Sequence, residues 1–374
     1  MDPATRDGCT RSGKSCAPPG VAIPSLPHAV QCVRLPMGHV PTLNPAQRGK
    51  FRSRLLRWFQ QHQRPLPWRK DCDAYRVWVS EIMLQQTRVA AVLEHYGRFL
   101  ERFPNVHALA AAPLEEVLSA WSGLGYYRRA RGIHAAAREI VSHYGGELPR
   151  TAAGLIKLPG FGRYTAAAVA SIAFGEPCAV LDGNVERVLR RLLGAANNDS
   201  GWSTSSLWQQ AEMLLSHRSP GNFNQAMMEL GALVCLPGEP RCGACPVSDW
   251  CATRGSGKPG PRTERRTAEA VVLVARKNGS IFLVQRPESV SVMPGLWELP
   301  QPQKGSEEKQ RPLMKLRHAI MNTDYRVEVV SGGAPRSTKG RWVAEKEASL
   351  LPLTGLTRKI LRRLPEAAPE SRKK

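Results

Sequence analysis

The sequence predicts a multidomain protein in which an all-helical domain is followed by a smaller α+β domain. Three observations predict this division. Apolar residues recur at helical spacing across residues 46–252, with no period-two alternation. Residues 253–266 are polar, basic and rich in Gly and Pro, which is typical of a linker. Residues 267–364 then change to short alternating runs that indicate strands.

Composition and charge favour a polyanionic partner. The chain has 374 residues and a formal net charge of +22 at pH 7, which suits binding to nucleic acid. A basic ribosome-like or membrane-surface protein is the alternative that charge leaves open. No apolar run of about 18 residues and no signal-peptide core is readable, so we expect a cytoplasmic protein without a membrane partner. In that reducing compartment the nine cysteines indicate metal binding rather than disulfides.

The first helix is predicted to begin near Pro45. Residues 1–45 have no period, and we interpret them as a disordered extension in which Cys9, Cys16 and Cys32 are incidental. Apolar residues then fall at helical spacing at Phe51, Leu55, Leu56 and Phe59.

A further helix is expected after a proline-rich break at residues 64–69. Ser80 is placed to act as its N-cap, which would put Glu81 in the first turn. An apolar stripe that we assign to the core continues at Val89, Val92, Leu93, Tyr96, Phe99, Leu100 and Phe103. Gln86 and Thr87 are polar exceptions at the start of this stripe.

The loop GLGYY, residues 123–127, separates two further predicted helices. It ends the first of them at its glycines and presents aromatic rings beside two arginines. Exposed aromatic rings beside arginine suit stacking on bases. We therefore interpret Tyr126 as a DNA contact and Tyr127 as a residue buried between helices.

The segment 158–193 carries two pieces of chemistry. Gly160 and Gly162 precede an Ala-rich helix, and glycines there let backbone N–H groups approach a phosphate at the helix N-terminus. Asp182 lies about 20 residues further on, shortly before Asn184 and an Arg-rich helix. We expect the nearby helix N-terminus to favour the charged form of Asp182.

Four cysteines close the helical domain with the spacing C-x6-C-x2-C-x5-C: Cys235, Cys242, Cys245 and Cys251. Four thiolates with Gly and Pro between them suit a tetrahedral or cubane metal site. The spacing by itself leaves structural Zn²⁺ and an iron–sulfur cluster as alternatives.

The second domain is read from its alternating runs. Strands are predicted at residues 268–276, 281–286, 325–330 and 340–343, with a closing helix at 356–364 and a charged, mobile tail at 365–374.

These motifs resemble the helix-hairpin-helix DNA glycosylases and, in more detail, the adenine DNA glycosylase (MutY) family. The resemblance is close over residues 46–252 and loose over 267–364. It rests on SEIMLQQT at 80–87, GLGYY at 123–127, LPGFG at 158–162, LDGNV at 181–185, FNQAMMELG at 223–231 and the four cysteines. It implies an all-α helix-hairpin-helix domain with a [4Fe–4S] cluster loop rather than a zinc site, followed by an α+β MutT-like (Nudix-fold) domain.

The resemblance implies a catalytic role for four residues. Cleavage of an N-glycosidic bond needs an acid for the leaving base and a carboxylate near the sugar cation. In this family Glu81 would protonate adenine, Asp182 would stabilise the cation, and Tyr164 and Asn184 would assist. Related endonucleases carry a nucleophilic lysine where this chain has Tyr164, so a monofunctional enzyme is expected.

The resemblance also implies DNA contacts. Contacts around 8-oxoguanine are expected from Gln86, Thr87, Leu124 and Tyr126. Gln225 is expected to line the adenine pocket, and Gly160 and Gly162 to hold a DNA phosphate. Glu229 is expected to be a surface or salt-bridge residue.

The C-terminal domain is expected to recognise the lesion rather than to hydrolyse a diphosphate. Residues 294–300, PGLWELP, resemble the start of a Nudix box, but the acidic helix that would bind Mg²⁺ does not follow. Ile320-Met321-Asn322 stand where the family has a Phe-Ser-His-like loop, and of these Asn322 keeps a hydrogen-bonding side chain.

The hypothesis is an adenine DNA glycosylase of base excision repair, monomeric and nucleoid-associated by function. Its substrate would be double-stranded DNA with an 8-oxoguanine:adenine or guanine:adenine mispair. A thymine or uracil mismatch glycosylase on the same scaffold is the alternative. A Nudix hydrolase tethered to a DNA-binding domain is disfavoured by the missing acidic helix. A non-catalytic iron–sulfur DNA-binding protein is disfavoured by the presence of both Glu81 and Asp182.

Overall fold

The computed structural model of the chain describes residues 43–194, 202–254, 265–290, 292–302, 311–335 and 338–364. The predicted extension 1–45, except its last three residues, lies outside the described residues. So do most of the predicted linker 253–266 and all of the predicted tail 365–374.

The described residues from 43 to 254 contain helices and no strands, which confirms the predicted helical architecture. The α-helices are α1 (Pro45–His62), α2 (Ala74–Leu84), α3 (Val89–Arg102), α4 (Val106–Ala111), α5 (Leu114–Ala120), α6 (Arg128–Tyr144), α7 (Ala152–Leu155), α8 (Arg163–Phe174), α9 (Gly183–Leu192), α10 (Thr204–Leu214) and α11 (Pro220–Leu233). Short 3₁₀ turns occupy Pro67–Arg69, Cys242–Ala244 and Ser248–Trp250.

The predicted start of α2 is wrong. The helix begins at Ala74, and Asp73 caps it by accepting a hydrogen bond from the backbone N–H of Arg76 at 2.8 Å. Ser80 lies inside the helix, where its hydroxyl donates to the carbonyl oxygen of Val77 at 2.7 Å. Glu81 therefore lies near the C-terminal end of α2 and not in its first turn.

Small residues let α8 and α9 approach α11 closely. A Cβ at Gly231 of α11 would lie 2.6 Å from the Cβ of Asn184 in α9, and one at Gly221 would lie 2.6 Å from the carbonyl oxygen of Ser171 in α8. The alanines of α8, residues 166–168 and 170, are buried.

The chain divides into two compact units. Among the described residues, the first unit comprises 43–81, 148–157 and 161–254, and the second comprises 82–147, 158–160 and the residues from 265 onward. A core of the first unit includes Phe51, Leu55, Phe59, Leu189, Leu207 and Phe223. A core of the second includes Val274, Ile281, Leu283, Leu316, Val329 and Ile360.

The part of the chain from 265 onward is an α+β structure, as predicted. It contains β1 (Arg266–Val274), β2 (Arg276–Lys277), β3 (Ser280–Gln285), β4 (Trp297–Glu298), β5 (Arg311–Ile320), β6 (Thr323–Ser331), β7 (Arg341–Ala344), α12 (Glu345–Ala348) and α13 (Gly355–Leu361). One sheet has the order β1-β6-β5, with β1 parallel and β5 antiparallel to β6. In the other, β3 pairs with β2, β4 and β7.

Strand β5 is not among the strands predicted from the sequence. Most of its ten residues are exposed or half-buried, and Leu316 is the buried one, so it shows little apolar alternation. It lies at the edge of its sheet and contains Pro312, beside which the register shifts. An edge strand tolerates proline because one side of it needs no ladder hydrogen bond.

Within the second unit, the α+β part is hydrogen-bonded to the end of α5 and to the segment between α5 and α6. The hydroxyl of Ser119 donates to the carbonyl oxygen of Leu350 at 2.7 Å, and the phenol of Tyr127 donates to that of Leu353 at 3.1 Å. Tyr127 is buried, as predicted.

None of the helices in the described residues is long and apolar enough to cross a membrane.

Candidate active site

Glu81 and Tyr164 form the centre of the candidate site. Glu81 lies near the end of α2, and Tyr164 lies in the first turn of α8. The Tyr164 phenol donates a hydrogen bond to Glu81 Oε2 at 2.7 Å, and its oxygen lies 3.2 Å from the sulfur of Met228. Burial, together with the charges of Glu81 and Asp182, raises the pKa of Tyr164 well above 10.0, so the phenol stays neutral.

The pKa of the Glu81 carboxyl group lies near neutral pH. Its side chain is only 5% exposed, and burial raises its pKa from 4.5 to about 7. The charge of Asp182 raises this pKa further, while the hydrogen bond from Tyr164 and the charge of Arg69 lower it. A carboxyl with this pKa can donate a proton at neutral pH, as a general acid must.

Asp182 caps helix α9. Its Oδ1 accepts from the backbone N–H of Val185 at 2.7 Å, and its Oδ2 accepts from Asn184 Nδ2 at 3.0 Å. These hydrogen bonds lower the pKa of Asp182, as expected for a carboxylate at a helix N-terminus, but burial outweighs them and leaves the pKa raised. The helix N-terminus thus favours the charged form of Asp182, as expected, although burial has the larger effect on its pKa. Asn184 itself is held by Arg187, whose Nη2 donates to Asn184 Oδ1 at 2.8 Å.

A buried ion cluster lies beside this pair and was not found from the sequence. Glu229 is 1% exposed and pairs with Arg64 at 2.8 Å and Arg69 at 2.9 Å. These two arginines overcome the effect of burial and lower the pKa of Glu229 to about 2. Arg69 Nε also donates to Gln225 Oε1 at 3.1 Å. Glu229 is thus a salt-bridge residue, as one expectation had it, but it is buried.

One sequence signal could have found this cluster. Gln225 and Glu229 are one helical turn apart in α11 and share a face. A buried carboxylate on the face of a proposed pocket residue needs a cation, and the break at residues 64–69 supplies two arginines.

The hairpin glycines have different conformations. Gly160 is left-handed with φ +76°, and a Cβ there would lie 3.1 Å from the Cα of Gly132. Gly162 is extended and immediately precedes α8, and its carbonyl oxygen accepts the N–H of Ala166 at 3.0 Å. Gly160 thus requires glycine both for its backbone angle and for the close approach, while Gly162 has open space where a Cβ would be.

The residues expected to surround 8-oxoguanine lie on two loops of the second unit. Gln86 and Tyr126 both have left-handed backbones, with φ 54° and 48°. Tyr126 is 37% exposed, whereas Leu124 is buried. Arg129 was not predicted from the sequence to belong to the site. It is buried, and its side chain donates hydrogen bonds to both loops.

Asn322 lies in the tight turn between β5 and β6. Its carbonyl oxygen accepts the N–H of Arg266 at 3.0 Å. The preceding residue, Met321, has φ 51° and is 67% exposed.

The four cysteines of the C-x6-C-x2-C-x5-C motif line one cavity, together with Arg191 and Arg241. All four are free thiols. Arg191 Nη1 donates to the sulfur of Cys235 at 3.3 Å. Burial raises the pKa of Cys245 to about 11, and the charges of the other three cysteines add to this effect. Cys72 lies outside this set and is disulfide-bonded, so the expectation of metal binding rather than disulfides is wrong for this cysteine.

The four thiols are a donor set that suits a thiolate-bound metal group, and no carboxylate or imidazole of the described residues lines the cavity with them. A structural zinc needs its ligands to meet tetrahedrally at one point. A four-iron cluster takes its thiolates at separate irons, which suits four thiols around a shared cavity.

Comparison with known proteins identifies the family. Residues 79–210 match the profile of an HhH-GPD superfamily base excision DNA repair protein. The adenine DNA glycosylase of Rattus norvegicus is 40% identical over 330 residues, which are 72% of this chain and 64% of that protein. The adenine DNA glycosylase of Schizosaccharomyces pombe is 32% identical over 325 residues, which are 69% of this chain and 70% of that protein. A thermostable thymine-DNA glycosylase structure aligns with a TM-score of 0.51 and 31% identity, covering 55% of this chain and 95% of that one.

The chain spans only part of its mammalian relatives: 64%, 41% and 39% of the rat, mouse and human adenine DNA glycosylases. The match to the S. pombe protein extends over more than two thirds of that protein. On this similarity, the chain belongs to the adenine DNA glycosylase family within the HhH-GPD superfamily.

Proposed function

We propose that this protein is a monofunctional adenine DNA glycosylase of base excision repair. It hydrolyses the N-glycosidic bond of adenine opposite 8-oxoguanine or guanine in double-stranded DNA, and it acts as a monomer. The observation that carries the proposal is the buried Glu81, with a pKa of about 7, hydrogen-bonded to Tyr164 and coupled to Asp182.

In the proposed reaction, adenine is first rotated out of the duplex, because the bond is inaccessible inside the stack. Glu81 gives its proton to a ring nitrogen of adenine. The N-glycosidic bond then breaks, and its electron pair leaves with the base. Asp182 stabilises the positive charge that develops on the sugar. A water molecule adds to the anomeric carbon and releases a proton, leaving an abasic site.

Tyr164 and Asn184 assist without changing their own protonation. The neutral Tyr164 phenol orients the Glu81 carboxyl through the 2.7 Å hydrogen bond. Asn184 donates a hydrogen bond to one carboxylate oxygen of Asp182, and the backbone N–H of Val185 at the N-terminus of α9 donates to the other. Together these hydrogen bonds fix the orientation of the carboxylate. Gln225, whose amide oxygen is held by Arg69, lines the adenine pocket.

The DNA-binding surface is assigned to two groups of residues. The hairpin glycines Gly160 and Gly162 hold a DNA phosphate through the backbone N–H groups that precede α8. The second group faces the base opposite the adenine: Gln86, Thr87, Leu124, Tyr126 and Asn322.

A [4Fe–4S] cluster is proposed for the cavity lined by Cys235, Cys242, Cys245 and Cys251. Its role is structural, because metal binding by thiolates contributes to folding. Arg191 supports the loop by donating to the carbonyl oxygen of Leu236 at 2.7 Å.

We also propose that a catalytic domain, 46–252, is followed by a MutT-like (Nudix-fold) recognition domain, 267–364. The mixed parallel and antiparallel sheet β1-β6-β5 is compatible with that fold. Glu298, the carboxylate of the Nudix-like segment 294–300, is paired with Arg286 at 2.9 Å. A carboxylate engaged by arginine is a poor Mg²⁺ ligand, which supports recognition rather than hydrolysis.

The absence of an amine at Tyr164 predicts that the enzyme does not cleave the DNA strand. Borohydride should trap no efficient Schiff-base adduct with DNA, because a phenol cannot form an imine. Tyr164→Lys should permit weak trapping. Robust trapping by the unaltered protein would mean that another amine, such as that of Lys157, reaches the sugar.

A base-release assay tests the proposed function. Duplexes containing 8-oxoguanine:adenine, guanine:adenine, guanine:thymine and guanine:uracil are incubated with excess protein, and the released base is identified. Release of adenine from the first two duplexes is expected. Release of thymine or uracil in its place would establish the alternative activity, which the similarity to a thymine-DNA glycosylase structure makes worth testing.

A further inference from the structure

We propose that Arg129 is a positioning residue that fastens together the two loops facing the base opposite the adenine, residues 85–87 and 124–126. This inference rests on the proposed function for what the loops do. The way in which Arg129 holds them is read from the structure itself.

One end of the Arg129 guanidinium engages the end of α2 and the loop after it. Its Nη1 donates to the carbonyl oxygens of Ile82 at 2.9 Å, Met83 at 2.8 Å and Gln85 at 2.5 Å. The last carbonyl groups of a helix have no partner inside the helix. Arg129 therefore supplies the donor for carbonyl groups at the point where the chain leaves α2 toward Gln86.

The other nitrogen reaches the second loop. Nη2 of Arg129 donates to Leu124 O at 3.0 Å and Gly125 O at 3.2 Å, and also to Thr87 Oγ1 at 2.9 Å in the first loop. One planar cation thus joins two loops about 40 residues apart in the sequence.

Both loops contain a residue with a disfavoured backbone. Gln86 and Tyr126 are left-handed, although neither is glycine. Such conformations persist where the surroundings hold them, and they gather at binding sites. The hydrogen bonds of Arg129 fall directly beside both residues, at Gln85 O and Thr87 Oγ1 on one side and at Gly125 O on the other.

The position is enclosed as well as hydrogen-bonded. Arg129 is 7% exposed, and its guanidinium lies 5.4 Å from the ring centre of Trp121 and 5.5 Å from that of Tyr126. The Trp121 indole N–H also donates to Gly125 O at 3.2 Å. Burial lowers the pKa of Arg129 to about 10, so the group remains charged at neutral pH.

Lysine cannot reproduce this arrangement, which makes Arg129→Lys the informative variant. Lysine keeps the charge, but its three N–H groups all belong to one nitrogen atom. The guanidinium of arginine carries its N–H groups on separate nitrogens and can therefore reach both loops. We expect Arg129→Lys to lower the preference for 8-oxoguanine:adenine over guanine:adenine by about fivefold or more, as the loss of one or two directed hydrogen bonds implies. The single-turnover rate on guanine:adenine should stay within about twofold. Arg138→Lys, an exposed position on the same helix, is the matched control and should change neither rate.

A double-mutant cycle separates positioning from general stability. If Arg129 acts through Tyr126, then Arg129→Lys should reduce the preference much less in a Tyr126→Ala background than in the unaltered protein. Equal reductions in both backgrounds, or equal losses on both duplexes in the single variant, would overturn the proposal.

Hydrogen exchange tests the same idea without DNA. Amide exchange in Arg129→Lys should quicken in residues 85–88 and 123–127, while the rest of the chain is unchanged. Trp121→Phe, which removes one hydrogen bond to Gly125, should quicken exchange in the second loop only and serves if the lysine variant folds poorly. Unchanged exchange in both variants would refute the fastening role. Failure of the unaltered protein to release adenine would instead refute the proposed function and leave this measurement valid.

Discussion

At the scale of single residues, the candidate site depends on how burial and hydrogen bonding set different pKa values for two carboxyl groups. Glu81 and Asp182 are both buried and both have raised pKa values. Asp182 accepts hydrogen bonds from Val185 and Asn184, and the charge of Arg187 also lowers its pKa. Glu81 accepts a hydrogen bond from Tyr164, and its pKa rises to about 7. This difference supports an acid role for Glu81 and an anionic role for Asp182.

Asp182→Asn should abolish adenine release and leave DNA affinity almost unchanged. Asparagine caps a helix as well as aspartate does, so α9 should keep its start, but the negative charge that opposes the sugar cation is lost. We expect the single-turnover rate to fall by at least about a hundredfold. Binding to DNA with a non-cleavable adenine analogue is the second readout, and Asp249→Asn at an exposed position is the control. Normal turnover by Asp182→Asn would refute this role.

Glu81 should make the reaction rate depend on pH. The proton that Glu81 donates is present below its pKa, so the single-turnover rate should fall as pH rises through about 7. Glu81→Gln should be nearly inactive at every pH. A rate that rises steadily from pH 6 to pH 9 would contradict the assignment.

The same pKa predicts a stability difference with a definite sign. A carboxyl whose pKa is raised by folding stabilises the protein fully below its unfolded pKa, near 4.5. That contribution is lost as pH rises toward the folded value of about 7. Glu81→Gln avoids the loss, so its free energy of unfolding relative to the unaltered protein should increase across this window, by on the order of 3 kcal/mol at most. Glu186→Gln, at a partly exposed i,i+4 pair, should show no such trend.

At the scale of elements, the cysteine loop shows how a local motif becomes a site. Cys235 follows the end of α11, Cys242 begins a 3₁₀ turn, and Cys251 follows another. The loop lies against α9 through Arg191, which donates to Cys235 Sγ and Leu236 O. A helix near the proposed catalytic residues is thereby tied to the loop.

Protein purified without oxygen should be brown and contain about four irons per chain, as a thiolate-bound cubane implies. Cys245→Ser should lower both the iron content and the yield of folded protein, because metal binding is coupled to folding. Cys178→Ser is the matched control, since Cys178 is also a half-buried free thiol but does not line the cavity. Stoichiometric zinc with no iron would overturn the cluster assignment.

At the scale of the whole molecule, the α+β part is joined to helices of the second unit. Hydrogen bonds from Ser119 and Tyr127 reach Leu350 and Leu353, and Arg131 pairs with Glu288. Tyr127 directly follows Tyr126, so this contact lies next to one of the loops proposed to face the opposite base.

A truncation ending near Arg262 should still release adenine. Glu81, Tyr164, Asp182 and the four cysteines all precede the cut. Preference for 8-oxoguanine over guanine should fall, because Asn322 is removed and Tyr127 loses its partner at Leu353. One lost hydrogen bond corresponds to roughly 1 kcal/mol, or about fivefold in selectivity. Single-turnover rates on both duplexes, full length against truncation, provide the measurement.

The thermal midpoint of the truncation should also fall, because the cut exposes surface that is buried around Tyr127. Loss of adenine release on both duplexes by a folded truncation would show that the catalytic residues are not confined to 46–252. Unchanged selectivity would mean that the C-terminal domain does not read the lesion.

The sequence by itself determined most of the element types, because periodicity is a local property; strand β5, which has little apolar alternation, is the exception. Helices to residue 254, the change to strands after 265, and the buried Tyr127 were all predicted correctly. Local pattern also identified the hairpin glycines and the four cysteines, since each motif is contiguous or nearly so. The start of α2 was misjudged because Ser80 and Asp73 are both capping residue types, and only the backbone distinguishes them.

Only the tertiary structure decided which residues that are distant in the sequence form ion pairs or hydrogen bonds with each other. The Arg64 and Arg69 pairs with Glu229 join positions about 160 residues apart, and Arg129 reaches back more than 40 residues to Gln85. The pKa of Glu81 is likewise a balance of burial, Tyr164, Asp182 and Arg69. These contributions to a pKa depend on distances between side chains and on burial in the folded protein, and the local spacing of residue types does not encode either.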